Sequence, residues 1–586
     1  MASTRRSGGR RAGGVQRVRR AAGSLARRGG GTRSEAVDGR IRLLRIFFVV
    51  VFVAAGGKAI ALASTADNLT ALALRQQMRT IDLPAPRGAI VDRGGQDLAV
   101  GKQMQTVYAT PYALKDPAAA AAQLAKVLRL KKKAAGDLQK TLADHGSGFA
   151  YVARKVSPEL AQRAVALDLP GVGSFPEEKR VYPMGALAMQ TLGLAGTDNH
   201  GLGGLELQYD KELSGRAGSE VVVRDPAGLA LKTVKAVQPV PGSDVRLTID
   251  EDIQYTAEHV LQQTVRSFHA KGATAVVMNP HTGEIYALAS VPLVDAQTFG
   301  AKDSGYATRQ RAVTDAYEPG SIFKAITVSG ALSEGLVKPS TRFALPPSIT
   351  VGDRVIHEAE ARGAANMTVS DIIAYSSNVG AVKIGMLLGR ERLLKWIAAF
   401  GFGKPTGIDF PGEIGGLVPQ QWSASTIGNV PMGQGIAVTP LQVAAAYAAI
   451  ANGGVWMRPY LTAQVGTHVV QPGGERRVIS ARVAKEMMAM LTQVVEKDGA
   501  TGNSARIPGY LVAGKTGTAQ KPLPNGGGYS DYNFVASFVG IVPAQHPQLV
   551  VLVAVDEPHP YWGGTVAAPA ARDIATFALQ HLEIAP

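Results

Sequence analysis

The sequence contains no cysteine among its 586 residues. This absence excludes disulfide scaffolds, thiolate zinc sites, iron–sulfur clusters and a cysteine nucleophile. Only 10 histidines are present, and because no HExxH pattern or other close histidine pair occurs, a catalytic metal site is not expected. No other cofactor is predicted. No G-x-S-x-G segment occurs either, which disfavours a Ser-His-Asp hydrolase that carries its serine on that turn.

Charge is scarce over most of the chain and concentrated at one end. Residues 1–45 hold 13 arginines, no lysine and two acidic residues, a net charge of +11, which leaves only +5 for the remaining 541 residues. The segment is also rich in glycine and alanine, so we expect a disordered tail. A nucleic-acid partner is not expected, because membrane topology or anionic lipid explains the same charge with fewer assumptions.

One long apolar run, residues 46–64, follows this tail. Nineteen helical residues reach about 28 Å, close to the thickness of a bilayer core. The run predicts a single-pass membrane anchor, with the arginine-rich side in the cytoplasm and the body outside. A cleaved signal peptide is the alternative, since Lys58 interrupts the run and Ala61-Leu62-Ala63 would suit signal peptidase. A buried core helix is a third interpretation.

The body divides into two parts by texture. Residues 65–240 are mixed, and a proline-containing linker at 237–242 closes them. Two strands are predicted at 274–278 and 284–288, helices dominate 321–450, three more strands lie near 510–516, 534–542 and 548–556, and a helix covers about 567–582. This order predicts an α+β fold in which helices pack against an antiparallel sheet.

Ser321 and Lys324 are the first candidate functional pair. They stand in EPGSIFK (318–324), where Pro and Gly interrupt the chain before an apolar helical pattern. A spacing of three residues puts both side chains on one helix face, where a desolvated lysine could activate the serine hydroxyl. Taken alone, a capping serine and a surface lysine would explain the pair equally well.

Two further segments carry polar groups that suit a substrate cleft. In AYSSNVG (374–380), Ser376 and Asn378 could turn a hydroxyl and an amide towards one site, although ordinary loop polarity explains them too. In AGKTGTA (513–519), a strand-like stretch places lysine and hydroxyl groups where a substrate carboxylate could bind, or is a plain edge strand. The candidate binding residues of this stretch are Lys515, Thr516, Gly517 and Thr518.

The order Ser-x-x-Lys, Ser-x-Asn, Lys-Thr-Gly is a specific signature of penicillin-interacting serine enzymes. With these motifs the chain resembles a class B penicillin-binding protein of the division type, a peptidoglycan D,D-transpeptidase, and its Ala-, Gly- and Arg-rich composition favours an actinobacterial source. Supporting segments are RGAIVDRGG (87–95), RVYPMG (180–185), GLGGLELQYDKELSG (201–215), LTIDEDIQ (247–254), FGFGKPTGIDFPGE (400–413), MGQGIAVTPLQ (432–442) and GGTVAAPA (563–570).

The resemblance implies a serine-transpeptidase domain at 241–586 on a dimerisation-like pedestal at 65–240, to whose motifs no chemistry is assigned. It implies that Ser321 attacks the carbonyl between two terminal D-alanines and that Lys324 accepts its proton. Ser376 would relay a proton to the leaving amine, and Asn378 would bind the donor peptide. Lys515 and the hydroxyls of Thr516 and Thr518 would hold the terminal carboxylate, and the Ser321 and Thr518 N–H groups would form the oxyanion hole.

The implied partners are peptidoglycan stem peptides, β-lactams, division proteins and a SEDS-family membrane polymerase, because the pedestal carries no glycosyltransferase signature. A serine β-lactamase shares the motifs but fits the long pedestal and anchor poorly. A β-lactam sensor would need a signalling domain, which is not visible. A catalytically inactive division scaffold is the remaining alternative, and the presence of every expected catalytic residue disfavours it.

Overall fold

The computed structural model describes residues 34–224, 230–301, 304–523 and 527–586. The chain divides into two compact units: a small one that runs to Arg79 with a short piece at 223–226, and a large one that holds the rest. Most of the predicted arginine-rich tail, residues 1–33, lies outside the described residues.

A single long helix, α1 (Ser34–Gln77), makes up nearly all of the described part of the small unit. Its stretch Gly39–Ser64 is long and apolar enough to cross a membrane, and 0% of its most apolar window is buried. That lack of burial disfavours a core helix. The helix begins before and ends after the expected span 46–64, so the last residues of the expected disordered tail are helical.

The described part of residues 78–250 is mixed in secondary structure, as the sequence indicates. The strands are β1 (Met78–Leu83), β2 (Ile90–Val91), β3 (Asp97–Ala109), β4 (Ala150–Val156), β5 (Val172–Val181), β6 (Gly218–Arg224), β7 (Ala230–Val237) and β8 (Val245–Leu247). The helices are α2 (Pro117–Val127), α3 (Lys132–Leu142), α4 (Pro158–Val165), α5 (Met189–Leu192), α6 (Gly204–Gln208) and α7 (Asp210–Ser214).

From residue 251 onwards, a mostly helical segment with short strands separates the first two strands from the last three. The helices are α8 (Glu251–Ser267), α9 (Arg311–Thr314), α10 (Lys324–Ser333), α11 (Val369–Ala374), α12 (Asn378–Leu388), α13 (Arg390–Ala399), α14 (Thr426–Asn429), α15 (Pro440–Ala451), α16 (Ala481–Glu496) and α17 (Gly563–His581). The strands are β9 (Gly272–Met278), β10 (Ile285–Val291), β11 (Arg342–Leu345), β12 (Ser348–Val351), β13 (Arg354–His357), β14 (Ala365–Thr368), β15 (Val455–Trp456), β16 (Thr462–Val465), β17 (His468–Val469), β18 (Arg476–Arg477), β19 (Ala513–Pro522), β20 (Tyr529–Val542) and β21 (Leu549–Asp556).

A five-stranded antiparallel sheet in the order β10-β9-β21-β20-β19 forms the centre of this region. Helices cover both of its faces, so its central strands are apolar almost throughout. Each face of the sheet has its own hydrophobic core. Val276 packs into the core that includes helices α10, α15 and α16, and its neighbour Val277 packs into the core that includes α8 and α17. The predicted antiparallel sheet with packed helices is therefore confirmed.

A second sheet joins the pedestal region to the region that follows it. Its strands run in the order β17-β16-β8-β2-β3-β4, with β5 paired to β3. Strand β8 pairs in parallel with β2 and antiparallel with β16, so segments near residues 90, 246 and 464 lie side by side. The expected boundary at 240/241 therefore falls within one continuous hydrogen-bonded structure.

Buried ion pairs hold the pedestal segments together. Glu206 is completely buried and accepts from Arg87 Nε at 2.7 Å and from Arg180 Nε at 2.6 Å. Arg87 Nη1 also donates to Asp210 at 2.7 Å, and Arg180 Nη1 donates to the carbonyl of Gly88 at 2.8 Å. Every charge in this network is paired, which is the condition under which buried ions are tolerated.

Candidate active site

Ser321 lies in a 3₁₀ turn, Gly320–Phe323, which leads directly into helix α10. The turn begins with Gly320 at φ +55°, a left-handed conformation that glycine adopts without strain. The buried hydroxyl of Tyr447 donates to the carbonyl of Ile322 at 2.7 Å and so fixes the turn from below. The serine is therefore held on a short rigid turn rather than in the α-helix that the sequence spacing predicts.

Lys324 is the first residue of α10 and is completely buried. Its Nζ donates to the carbonyl of Ser376 at 2.6 Å, to Asn378 Oδ1 at 2.8 Å and to Ser376 Oγ at 3.2 Å. Burial, and then the nearby Lys515, hold the pKa of Lys324 well below its usual value. Within the described residues the Ser321 hydroxyl accepts no hydrogen bond from it; the amine is directed to the Ser-x-Asn motif.

Ser376 joins helices α11 and α12 and has a φ of +56°, an uncommon value for a residue with a side chain. Its hydroxyl accepts from Lys515 Nζ at 2.8 Å as well as from Lys324. The next residue, Ser377, caps α12 by accepting from the N–H of Gly380. The helix cap thus fixes the strained backbone that aims Ser376 between the two lysines.

Lys515, Thr516, Gly517 and Thr518 lie on the edge strand β19. Lys515 is completely buried, and burial lowers its pKa to about 7. The Thr516 hydroxyl donates to the Thr501 hydroxyl at 2.8 Å, and the Thr518 hydroxyl accepts from the N–H of Gly563 at 3.1 Å. The Thr516 hydroxyl is therefore hydrogen-bonded to Thr501 and not to Ser376, a contact that the sequence does not indicate.

Gly517 allows β19 to lie against the nucleophile turn. A Cβ at this position would lie 2.4 Å from Ser537 Oγ, 2.9 Å from Ile322 Cγ1 and 3.0 Å from the carbonyl of Pro319. These close neighbours are parts of the chain itself, next to Ser321.

Glu358 is a supporting residue that the sequence reasoning missed. One carboxylate oxygen accepts from the hydroxyl of Ser377, and the other accepts from the N–H of Asn378 at 2.6 Å. Arg362 lies 3.9 Å from the same carboxylate. No motif surrounds Glu358 in the sequence, and only the fold brings the loop that follows β13 to the Ser-x-Asn turn.

The described residues contain one group whose ligand atoms are close enough to hold a metal, Asp250, Asp252 and His581. None of the predicted site residues belongs to it. His581 Nε2 and an Asp250 carboxylate oxygen lie 3.1 Å apart and already form a hydrogen bond between the ends of α17 and α8.

Residues 273–576 match the sequence model of the penicillin binding protein transpeptidase domain, and residues 82–247 match that of the penicillin-binding protein dimerisation domain. The chain belongs to the class B penicillin-binding proteins. Its membership agrees with the three motifs that meet around Ser376.

Related class B penicillin-binding proteins match nearly the whole chain. Stage V sporulation protein D of Bacillus subtilis is 35% identical, over 89% of this chain and 82% of its own length. Penicillin-binding protein PbpB of Mycobacterium tuberculosis is 34% identical, over 91% and 84%. Peptidoglycan D,D-transpeptidase FtsI of Escherichia coli is 30% identical, over 87% and 86%.

Solved structures agree with this assignment. A peptidoglycan synthetase from Bifidobacterium adolescentis superimposes with a TM-score of 0.70 at 29% identity, covering 87% of this chain and 97% of the other. Penicillin binding protein 3 of Mycobacterium tuberculosis, complexed with aztreonam, superimposes with a TM-score of 0.68 at 30% identity, covering 86% and 98%. In this class, the apolar helix α1 fits a single-pass membrane anchor.

Proposed function

We propose that this chain is a peptidoglycan D,D-transpeptidase that cross-links stem peptides through a serine acyl-enzyme during septal wall synthesis. The observation that carries the proposal is the convergence of two buried lysines, Lys324 and Lys515, on the hydroxyl of Ser376. Serine acylation needs a base that is neutral at physiological pH, and buried lysines supply one. The relative from Escherichia coli carries the same activity in its name.

Acylation begins at Ser321. Its Oγ attacks the carbonyl between the two terminal D-alanines, and its proton passes to the neutral amine of Lys324. Because burial lowers the pKa of Lys324, the side chain is a neutral amine that can accept this proton. The same burial disfavours the ammonium that forms, so the proton is readily transferred onwards. The proton continues through Ser376, to which Lys324 is already hydrogen-bonded, towards the leaving D-alanine amine.

Lys515 and Asn378 act on either side of this path. A protonated Lys515 donates to Ser376 Oγ and offsets the negative charge of the substrate's terminal carboxylate. Asn378, whose amide also donates to the carbonyl of His357 at 3.0 Å, orients the donor peptide. Thr518 binds the carboxylate through its hydroxyl, and Thr516 joins it only if its side chain leaves Thr501.

The oxyanion of the tetrahedral intermediate binds to the backbone N–H groups of Ser321 and Thr518. The first lies on the 3₁₀ turn and the second on β19, and the absence of a side chain at Gly517 lets these two elements approach. Each donor of this kind contributes about 3 kcal/mol to the transition state. An amine from a neighbouring stem then resolves the acyl-enzyme and completes the cross-link.

The same site would be acylated by β-lactams, and a relative has been solved with aztreonam and with ampicillin. We place the arginine-rich end in the cytoplasm, because positive charge flanks α1 on that side, and the catalytic region outside. The proposed domains remain a pedestal at 65–240 and a transpeptidase domain at 241–586. A SEDS-family polymerase would supply the glycan, since the pedestal carries no polymerase motif.

The decisive experiment is fluorescent penicillin labelling of the full-length protein in detergent, beside Ser321→Ala, followed over hours. We expect a persistent adduct on the wild type and none on the variant. Rapid loss of the label would indicate a β-lactamase. A folded wild-type protein that takes no label would overturn the enzymatic assignment and leave a division scaffold.

A further inference from the structure

One segment beside the site, residues 497–505, follows helix α16 and belongs to none of the three motifs. Its first residue ties it to the Ser-x-Asn side of the site. Lys497 Nζ lies 2.8 Å from the carboxylate of Asp371 on α11 and 4.9 Å from the centre of the Tyr375 ring. Because Tyr375 directly precedes Ser376, this end of the segment is fixed to the turn that carries the Ser376 hydroxyl.

The middle and the far end of the segment are fixed as well. The N–H of Thr501 donates to the carbonyl of Ala374, the last residue of α11, at 3.4 Å. The Ser504 hydroxyl donates to the carbonyl of Gly564 in the first turn of α17. Since the backbone is held by α11 on one side and by α17 on the other, we expect Thr501 to keep its position when a neighbouring side chain rotates.

The hydroxyl of Thr501 is the acceptor for Thr516 of the Lys-Thr-Gly motif. The two oxygens lie 2.8 Å apart, Thr516 is the donor, and its side chain belongs to the buried part of β19. A hydroxyl has a single proton, so the proton that Thr516 donates to Thr501 is not available to a second acceptor. The Thr516 hydroxyl can therefore donate to a substrate carboxylate only after this bond breaks.

We propose that Thr501 is a positioning residue that holds the Thr516 hydroxyl in a resting orientation until a substrate carboxylate replaces it as the acceptor. This inference rests on the proposed function and adds a controlling contact to its carboxylate site. A hydrogen bond to a charged oxygen is roughly twice as strong as one to a neutral oxygen, so the carboxylate wins the exchange. The broken bond still subtracts from the binding free energy, and that loss is the quantity to be measured.

The test measures kcat and KM of the full-length protein for the thioester of N-benzoyl-D-alanine with thioglycolate, whose free carboxylate stands for that of the terminal D-alanine. The released thiol is measured directly, since the chain contains no cysteine. Thr501→Val keeps the shape of the side chain and removes the acceptor. We expect KM to fall about threefold to tenfold, the net effect of one neutral hydrogen bond. The value of kcat should not change, because bound substrate and transition state gain equally.

Two further variants assign the effect to this pair of hydroxyls. Thr501→Ser keeps an acceptor and should keep the wild-type KM. In a protein that already carries Thr516→Val, the change Thr501→Val should alter neither kcat nor KM, because no hydroxyl is left to be released. If Thr501→Val does not fold, Thr501→Ala removes the same acceptor and is measured in the same way.

An unchanged or raised KM in folded Thr501→Val, when the wild type is labelled by penicillin through Ser321, would overturn this inference alone. A fall in KM that also occurs in Thr501→Ser, or that persists beside Thr516→Val, would overturn it too. Absence of the penicillin label from the folded wild type would overturn the proposed function itself.

Discussion

Ser376 receives hydrogen bonds from two lysine side chains at once, over 3.2 Å from Lys324 and 2.8 Å from Lys515. Two ammonium groups so close together in a buried site repel each other. Protonation of one lysine therefore disfavours protonation of the other, and the two titrate as a coupled pair. This arrangement separates the roles of two residues of the same type. One must be neutral to accept a proton, and the other must be charged to bind an anion.

Replacing Lys324 by methionine removes the proposed base while keeping the length and burial of the side chain. We expect the rate of acylation by benzylpenicillin to fall by about 10²- to 10⁴-fold, the usual contribution of a general base. The rate is measured by stopped-flow mixing with fluorescent penicillin. Lys395→Met, at an exposed lysine paired with Glu334, is the control and should leave the rate unchanged.

The pH profile of acylation should be bell-shaped. The rate rises as Lys324 loses its proton, and it falls as the pH passes about 7, because Lys515 then loses the charge that binds the carboxylate. Arginine stays charged at these pH values, so Lys515→Arg should lose the alkaline fall even if its maximum rate is lower. An unchanged alkaline fall in that variant would assign it to a different group.

The eight candidate residues could be selected from the sequence because their spacing is local within each motif. What the sequence could not supply was the partner of each side chain. Nothing in AGKTGTA indicates that Thr516 is engaged by Thr501, and no pattern marks Glu358 as the residue that supports Asn378. Contacts between distant segments depend on the fold, which local spacing does not encode.

At the scale of elements, the site depends on how closely strand β19 approaches the turn that carries Ser321. The strand and the final helix were predicted approximately, since their apolar runs have the periods of a strand and a helix. The 3₁₀ geometry of Gly320–Phe323 was not predicted, because it depends on packing under Tyr447 and on the left-handed Gly320.

Substituting alanine for Gly517 tests this approach. The new methyl group would overlap Ser537 Oγ and Ile322, so we expect a loss of about 1–3 kcal/mol in the free energy of unfolding and slower acylation. Urea unfolding followed by circular dichroism, with a parallel penicillin assay, measures both.

Gly136→Ala is the matched control for that variant. Gly136 lies inside helix α3 with nothing within 4 Å of the added Cβ, so the same substitution should stabilise the protein by about 0.5–1 kcal/mol. If Gly517→Ala were as well tolerated as this control, the close packing of strand and turn would not be needed for activity.

At the scale of the large unit, segments far apart in sequence are joined by the buried ion network and by the sheet that contains β8. A change of composition near residue 240 indicates two parts, and no pattern in the sequence indicates that Thr462–Val465 pairs with Val245–Leu247. We therefore expect the pedestal and the catalytic region to unfold in one transition.

Glu206→Gln removes the shared carboxylate of Arg87 and Arg180 and leaves two buried guanidinium groups. We expect a loss of about 3–5 kcal/mol in the free energy of unfolding, seen in thermal melts of the full-length protein as earlier loss of both pedestal and penicillin binding. Asp498→Asn, at an exposed pair with Arg506, should change it by less than about 1 kcal/mol. Penicillin binding that outlasts the pedestal would contradict a single transition.

The pairing of strand β8 also affects where related genes can recombine and still encode a stable protein. Recombination at the linker before residue 241 would draw β2 from one parent and both β8 and β16 from the other. The hybrid would then have to form a parallel strand pair between sequences that never evolved together. Exchange is less disruptive where the crossover lies after Val465, since all three strands then come from the same parent.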